Sequence, residues 1–265
     1  MIFNNNKQGN TMKFSFFKPL VLAISLTVTL TVQANSFSEQ AINSAIASKN
    51  RPATDIAKDE KRKPEQVLSF FQVAPGTMVL DVLAGSGYYS ELISNVVGEH
   101  GKIIIHNDKH FLKYYGKSLS TRLGDGTRLT NAERIDISLN DLELQENSLD
   151  TIILALGYHD FYYVFSEAEK IKVSKVLAKF HKFLKPGGII GIIDHEAVKG
   201  APANVGGTLH RIAPELVKNE MTAAGFSFDG ELNVLKNTTD DKTKMIWDIP
   251  GRNTSRFVFR FKNNK

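Results

Sequence analysis

The stretch Val79-Leu-Asp-Val-Leu-Ala-Gly-Ser-Gly87 closes one kind of backbone and opens another. Its upstream half belongs to Met78-Val-Leu-Asp-Val82, an almost unbroken apolar run of the kind that forms a strand buried on both faces. Downstream, Tyr89 to Val97 has the spacing of a helix. Between them lies Gly85-Ser86-Gly87, where missing side chains let the backbone turn tightly and pass close to a ligand. A helix that starts at such a turn also offers free N–H groups. The same glycines serve a strand–helix turn with no ligand, so their meaning depends on the rest of the chain.

Beyond Val97 the alternation of strand and helix repeats. Lys102-Ile-Ile-Ile105, Arg134-Ile-Asp-Ile137, Leu149-Asp-Thr-Ile-Ile-Leu-Ala155 and Ile189-Ile-Gly-Ile-Ile193 read as strands. Helices are expected between them at Phe111 to Leu119 and Glu167 to Leu184, with a further one at Pro214 to Ala224. Two closing strands are expected at Phe226 to Leu235 and Arg256 to Phe261, the second alternating Phe257, Phe259 and Phe261 with Val258, Arg260 and Lys262. Continuous Ile/Val/Leu strands separated by helices predict a mostly parallel sheet covered on both faces, a doubly wound Rossmann-like α/β domain of seven strands. Upstream, Ser38 to Lys49 and Pro64 to Phe71 read as helices, Pro64 being suited to a first helical position. The mixed-sign run Lys58-Asp-Glu-Lys-Arg-Lys63 between them reads as a solvated link.

Residues 1–34 read as an export signal. Lys13 and Lys18 precede 13 apolar or hydroxyl residues from Leu20 to Val32, and Val32-Gln-Ala34 supplies small side chains for cleavage before Asn35. The polar, Asn-rich stretch before Met12 has no part in such a signal, so Met12 is taken as the start. The apolar run is shorter than the roughly 20 residues that span a bilayer, and no stable span is expected after cleavage. The organisation expected is therefore a signal over 1–34, a helical segment over 35–73 and an α/β domain over 74–265, exported to the periplasm.

Composition narrows the functional classes. The chain has 265 residues, 42% hydrophobic and 23% charged, which is a globular balance. It contains no cysteine, which excludes disulfides, a thiol nucleophile and cysteine zinc ligands. Its net charge of +5 falls to +2 when residues 1–34 leave, because they carry Lys7, Lys13 and Lys18 and no acid. No nucleic-acid partner is expected at that charge.

Four blocks in order, Val79–Gly87, Gly101-Lys-Ile-Ile-Ile-His-Asn107, Glu146-Asn-Ser-Leu-Asp-Thr-Ile-Ile153 and Phe183-Leu-Lys-Pro-Gly-Gly-Ile-Ile190, resemble the class I S-adenosylmethionine (SAM)-dependent methyltransferases. The chain is also similar to a subgroup of exported, predicted methyltransferases that combine Gly-Tyr-Tyr, Tyr-His-Asp and His-Arg-Ile, found here at Gly87-Tyr-Tyr89, Tyr158-His-Asp160 and His210-Arg-Ile212. The resemblance implies that Gly85, Ser86 and Gly87 pass beneath the methionine and ribose, with Asp81 near the amino group or orienting the loop. Three positions depart from the family pattern. Asn107 stands where an acid usually accepts the ribose hydroxyls, with Asp108 as its possible substitute. Ser138 stands where an Asp commonly meets the adenine amine, and Leu83 stands at the usual first glycine.

The remaining polar residues are expected at the same sheet edge. Tyr158, His159 and Asp160 follow the fourth strand, Asp194, His195 and Glu196 follow the fifth, and His210 and Arg211 follow the flexible run Gly200–Gly207. His159 or His195 is a candidate general base, oriented by Asp160 or Asp194, and Arg211 a candidate clamp for an acidic group on the substrate. His100, His106, His110 and His181 are read as surface or core residues. No recognised metal-ligand spacing is present, so no metal is expected, and the absence of a Gly-x-Ser-x-Gly elbow weighs against a serine hydrolase. The expected activity is methyl transfer from SAM to an oxygen or nitrogen of a small molecule. The alternative is a non-catalytic exported protein that binds a small ligand on the same fold.

Overall fold

The computed structural model describes residues 1–4, 38–164 and 166–265. Apart from its first four residues, the expected signal and its cleavage position lie outside the described residues. Seven strands form one sheet: β1 Met78–Val82, β2 Lys102–Asn107, β3 Ala132–Asp136, β4 Leu149–Ala155, β5 Leu184–His195, β6 Phe226–Glu231 and β7 Arg256–Asn263. Their order is β3-β2-β1-β4-β5-β7-β6. The first five are mutually parallel, and β7 enters antiparallel between β5 and β6. This is the seven-stranded doubly wound architecture expected. The strand order reverses between β1 and β4, so the loops leaving these two neighbours diverge and leave a crevice at their carboxyl edge.

Alternate residues of each strand feed two apolar layers. Leu80, Val82, Ile152, Leu154, Ile190 and Ile192 join one layer, which Phe180 and Phe183 of helix α6 (Val173–Phe183) and Val217 and Met221 of α8 (Pro214–Ala223) complete. Val79, Ile103, Ile105, Ile153 and Ile193 join the other, against Leu92, Ile93 and Val96 of α4 (Tyr88–Val97). With both faces covered, no polar residue is needed on the pleat, which is why these strands read as continuous apolar runs. Phe257, Phe259 and Phe261 of β7 enter the first layer together, and Val258 enters the second.

The N-terminal helices are α1 (residues 38–46), α2 (Ala53–Arg62) and α3 (Pro64–Phe70). Ile42, Ala45, Val67, Leu68 and Phe71 belong to the second layer, so this segment shares a core with the sheet. The charged run at 58–63 is not a link. Most of it is the second half of α2, and the inward face of that helix is polar: Asp55, Asp59 and Arg62 recur at helical spacing. Asp59 accepts two bonds from Arg51 at 2.7 Å and one from Tyr88 Oη at 2.6 Å. Asp55 binds Arg122 at 2.6 Å, and the Arg62 guanidinium lies 4.3 Å from the Tyr88 ring centre.

Helix α5 spans Lys109–Leu123. The helix expected from Glu167 begins only at Val173. Residues before it are tied elsewhere: Glu169 binds Lys109 and His110 of α5, while Asn140 brackets Lys170 O and Lys172 N at 3.0 Å each. The run expected to be flexible at Gly200–Gly207 contains the start of α7 (Val205–Leu209).

Candidate active site

The Gly85–Gly87 turn sits at the crevice with its geometry braced from both sides. Leu83, Gly85 and Gly87 all adopt left-handed backbone, with φ of 50°, 60° and 82°. A Cβ at Gly87 would lie 2.8 Å from Arg122 Cδ, and the same Arg122 donates from Nε to Ser86 O at 2.6 Å. Arg122 is buried and also binds Asp55 and Glu91, so an ion-paired group stands directly behind the turn. In front, the Asn107 side-chain amide grips Gly85 at both ends: Oδ1 accepts from Gly85 N at 2.9 Å and Nδ2 donates to Gly85 O at 3.0 Å. Gly87 is the N-cap of α4 and supplies no side-chain cap, leaving first-turn N–H groups for a ligand.

Asp81 ends β1 buried, and its Oδ2 accepts from Ser90 Oγ at 2.6 Å. Burial lifts its carboxyl to about 7, against the opposing pulls of the Ser90 hydroxyl and the Arg62 guanidinium. A carboxyl in that state is poised for a cation. Asn107 has both amide groups engaged by Gly85, which leaves Oδ1 one lone pair for any further donor. Asp108 caps α5, its Oδ1 accepting from His110 N and Phe111 N at 2.9 Å each, with Oδ2 free of hydrogen bonds among the described residues. Ser138 accepts from Asn140 N at 3.2 Å and shapes its own turn. His106 is core, as expected: its ring spans Leu83 N at 3.5 Å and Ile137 O at 2.9 Å, and burial lowers its pKa.

These features fit a bound SAM with one substitution. The two glycines, the open α4 N-terminus and Asp81 form a cradle for the methionine end. Asp108 Oδ2, one residue beyond Asn107, is a carboxylate oxygen that would be open to a ribose hydroxyl.

On the neighbouring side of the crevice, the loop after β4 packs directly on this turn. A Cβ at Gly157 would lie 3.2 Å from Leu83 Cβ. From there a short 3-10 turn, His159–Tyr162, presents the second polar set. Asp194, fully buried near the end of β5, accepts from His159 N at 2.8 Å, His159 Nδ1 at 2.7 Å and His195 N at 2.7 Å. The two bonds from His159 fix its ring, with Nε2 directed outward. That Nε2 lies 3.3 Å from His210 Nδ1 and 3.5 Å from Asp160 Oδ2, and His210 Nδ1 lies 3.8 Å from Asp160 Oδ1.

Charge divides these groups. Burial opposes protonation of His159, but the Asp194 and Asp160 carboxylates outweigh it and raise the ring to about 9. Burial raises Asp160 to about 6 even though His159 pulls the other way. Burial and the charge of His159 lower His210 to about 4 and lower His195 further below its ordinary range than burial alone.

His159, Asp160 and His210 are therefore brought together; His195 lies beside them, its ring centre 5.9 Å from that of His159, with one nitrogen engaged elsewhere, and Arg211 is not among them. His195 points to Thr254, with Nδ1 at 2.6 Å from its Oγ1. Arg211 is fully buried and makes a two-pronged pair with Asp240 at 2.9 Å, plus bonds to Glu196 O and Lys244 O at 2.8 Å. It anchors the loop around Asp240 instead of clamping a substrate. Glu196 likewise binds Lys236, Lys242 and Ser255. Tyr158 Oη donates to Glu220 of α8 at 2.6 Å, and Tyr88 and Tyr89 are core residues.

The sequence reading missed several contributors. Tyr163 and Trp247 flank the His210 ring at 5.7 and 5.1 Å between centres, and Tyr115 covers Gly85, 3.6 Å from where its Cβ would be. Gly206 and Gly207 let α7 press onto the 3-10 turn, since a Cβ at Gly206 would lie 2.5 Å from His159 O. The paired glycines at the end of a run of small residues are the one signal for that close approach.

Comparison with known proteins agrees with this fold. A solved SAM-dependent methyltransferase from Aquifex aeolicus superimposes with a TM-score of 0.55 at 22% identity, covering 81% of this chain and 99% of the other. A SAM-dependent methyltransferase from Mesorhizobium loti gives 0.52 at 15% identity, covering 76% and 97%. At such identities the likeness establishes the fold. The ubiquinone/menaquinone biosynthesis C-methyltransferase of Blochmanniella floridana is 27% identical over 123 residues, 46% of this chain and 44% of that protein. The chain thus spans less than half the length of that relative. The ubiE/COQ5 methyltransferase family pattern itself matches residues 55–206, from α2 through the close approach of α7. That match runs over more than half of the sequence and includes both halves of the crevice, and the chain belongs to the ubiE/COQ5 methyltransferase family.

Proposed function

We propose that this chain is a SAM-dependent methyltransferase acting on an oxygen or nitrogen of a small molecule held against His159, Asp160 and His210. The observation that carries this reading is the position of that polar trio on the β4 side of the strand-order reversal, beside a glycine turn built for a cofactor on the β1 side. When bound, SAM supplies an electrophilic methyl group on a sulfonium centre. The chain's own residues do the rest. Gly85 to Gly87 and the α4 N-terminus receive the methionine end, Asp81 faces its ammonium group, and Asp194 holds His159 in one orientation. Asp160 and His210 are the accessible members of the trio and take the proton of an acceptor hydroxyl or amine. The relatives named above act at carbon, whereas lone-pair-rich side chains at this edge favour a heteroatom acceptor. Residues 1–34 are proposed as an export signal, which sends the working protein to the periplasm.

The test uses purified protein with SAM labelled at the methyl carbon, offered phenols, alcohols, amines and carboxylates. Release of S-adenosylhomocysteine with an O- or N-methyl product by NMR supports the reading. A joint Asp160→Asn/His210→Ala variant should lose that turnover while its calorimetric SAM titration is unchanged. Absence of SAM binding up to millimolar concentration, or a product methylated only at carbon, overturns it.

A further inference from the structure

We propose that His159 Nε2, His210 Nδ1 and an Asp160 oxygen form a binding site for one divalent transition-metal ion of the zinc class. The three candidate ligand atoms lie within 4.8 Å of one another. His159 Nε2 is 3.3 Å from His210 Nδ1 and 3.5 Å from Asp160 Oδ2, while His210 Nδ1 is 3.8 Å from the other carboxylate oxygen, Oδ1, all long for hydrogen bonds. They suit a metal better. Zinc with nitrogen and oxygen ligands at about 2.0–2.1 Å in a tetrahedron requires ligand atoms about 3.3–3.4 Å apart along each edge. The His159 Nε2–His210 Nδ1 and His159 Nε2–Asp160 Oδ2 separations lie within about 0.2 Å of that value, and a rotation of the Asp160 carboxylate would bring one oxygen to that distance from both rings.

The surroundings of each ligand have the arrangement that metal sites use. His159 donates its Nδ1–H to the buried Asp194 carboxylate, the carboxylate–histidine pairing that fixes ring orientation and leaves Nε2 as the ligating atom. Asp194 is itself held by two backbone N–H groups, so this support is rigid. His210 is the C-cap of α7, with left-handed backbone at φ 53°, so its place is set by where that helix ends. Its ring is gripped between Tyr163 and Trp247. Two histidines and one carboxylate are a borderline-soft set that suits Zn2+ and its first-row neighbours better than Mg2+ or Ca2+. Three protein ligands leave a position open, the mark of sites that also bind an exchangeable group. No ligand spacing shows in the sequence because His159 and His210 are 51 residues apart and meet only through the α7 approach.

What occupies the open position rests on the methyl-transfer reading: under it, the acceptor's oxygen binds there beside the cofactor turn, the ion makes its hydroxyl acidic enough to release the proton to solvent, and Asp160 and His210 then hold the ion instead of taking that proton themselves. The ion site itself is testable without that reading. Untagged full-length protein is stripped with EDTA, desalted and titrated with Zn2+ by calorimetry, and separately with Co2+ by visible absorbance. Saturation at one equivalent with four- or five-coordinate cobalt bands is expected. His159→Ala and His210→Ala should each weaken binding by at least about a hundredfold, and Asp194→Asn by about 10- to 100-fold through loss of ring orientation. His110→Ala, which alters a histidine–carboxylate pair elsewhere, should leave it unchanged. Circular dichroism confirms that each variant is folded, and His210→Asn serves if the alanine variant is not. Absence of one-equivalent saturation, or saturation that survives the joint His159→Ala/His210→Ala change, overturns the site. SAM titration of the same stripped protein separates the two readings: cofactor binding without metal binding removes only the ion, and metal binding without cofactor binding removes only the methyl-transfer reading.

Discussion

Replacing Asp81 with asparagine should make the free protein more stable at alkaline pH. Asp81 is 2% exposed and has one hydroxyl partner, Ser90, yet it must carry a charge when it ionises. Its carboxyl holds a proton to about pH 7 in the folded chain, whereas an unfolded aspartate releases it near 3.8. Between those values the folded state binds more protons than the unfolded state, so stability falls as pH rises through the window and levels off above about 7. At about 1.4 kcal/mol per pH unit, the burden above pH 7 is about 4 kcal/mol. The asparagine side chain keeps an oxygen for the Ser90 hydroxyl and carries no charge. Urea denaturation at pH 5 and pH 8 should show the variant gaining up to about 4 kcal/mol relative to the natural protein at pH 8, and less than about half of that at pH 5. The difference between the two proteins isolates Asp81 from every other titrating group. A variant less stable than the natural protein at pH 8 would refute the reasoning, because it would mean that Arg62 and Ser90 already satisfy the charge.

The same carboxyl makes cofactor affinity pH-dependent. If the SAM ammonium group meets ionised Asp81, binding draws off the proton that Asp81 otherwise keeps. Affinity should then strengthen by up to about tenfold per unit as pH rises from about 5.5 to 7 and flatten above it, a dependence that Asp81→Asn abolishes.

Asn107→Asp restores an acid at the ribose-facing position, but it also removes the Nδ2 donor to Gly85 O and leaves a buried carbonyl and carboxylate facing each other. A stability loss of about 1–3 kcal/mol by urea denaturation is expected, and equal stability with tighter SAM binding would contradict it. Gly206→Val places side-chain carbon against His159 O, where only 2.5 Å is available for a Cβ. It should cost about 1–3 kcal/mol and separate His210 from His159, and an unchanged melting temperature would count against the close-approach account.

The sheet was readable because its central strands are buried on both faces. Ile103 to Ile105 and Ile152 to Leu154 have no solvent side, so nothing polar interrupts the run. Helix α2 was unreadable for the opposite reason. It packs inward through Asp55, Asp59 and Arg62, whose partners Arg122, Arg51 and Tyr88 lie at other points of the chain, so the inward face shows no apolar period. Loop residues divided in the same way. His159, Asp160 and His210 were recognisable as polar groups at one edge. Their separate fates depend on contacts that no local pattern encodes: Asp194 reaches His159, Thr254 takes His195, and Asp240 takes Arg211. A histidine or arginine at a strand end carries its chemistry in its sequence, but its availability is decided by what folds against it.

The departures at Leu83 and Asn107 have a common physical effect when their contacts are set side by side. Leu83 adopts left-handed backbone, at a cost of about 1–2 kcal/mol for a residue with a Cβ. In return its buried side chain packs against Gly157, under the loop that carries His159, where full burial of a leucine contributes about 1.5–3 kcal/mol. Asn107 makes two bonds to Gly85, and the ring of His106 ties Leu83 N to Ile137 O. Both residues make their contacts within the protein. The turn is consequently braced before anything binds, by Arg122 behind it and Asn107 in front, so little ordering remains to be done on association. The same Leu83 contact joins the cofactor turn to the loop bearing the polar trio. The two halves of the crevice are thus held at fixed separation, which is the condition under which a donor on one side and an acceptor on the other can be aligned without further closure.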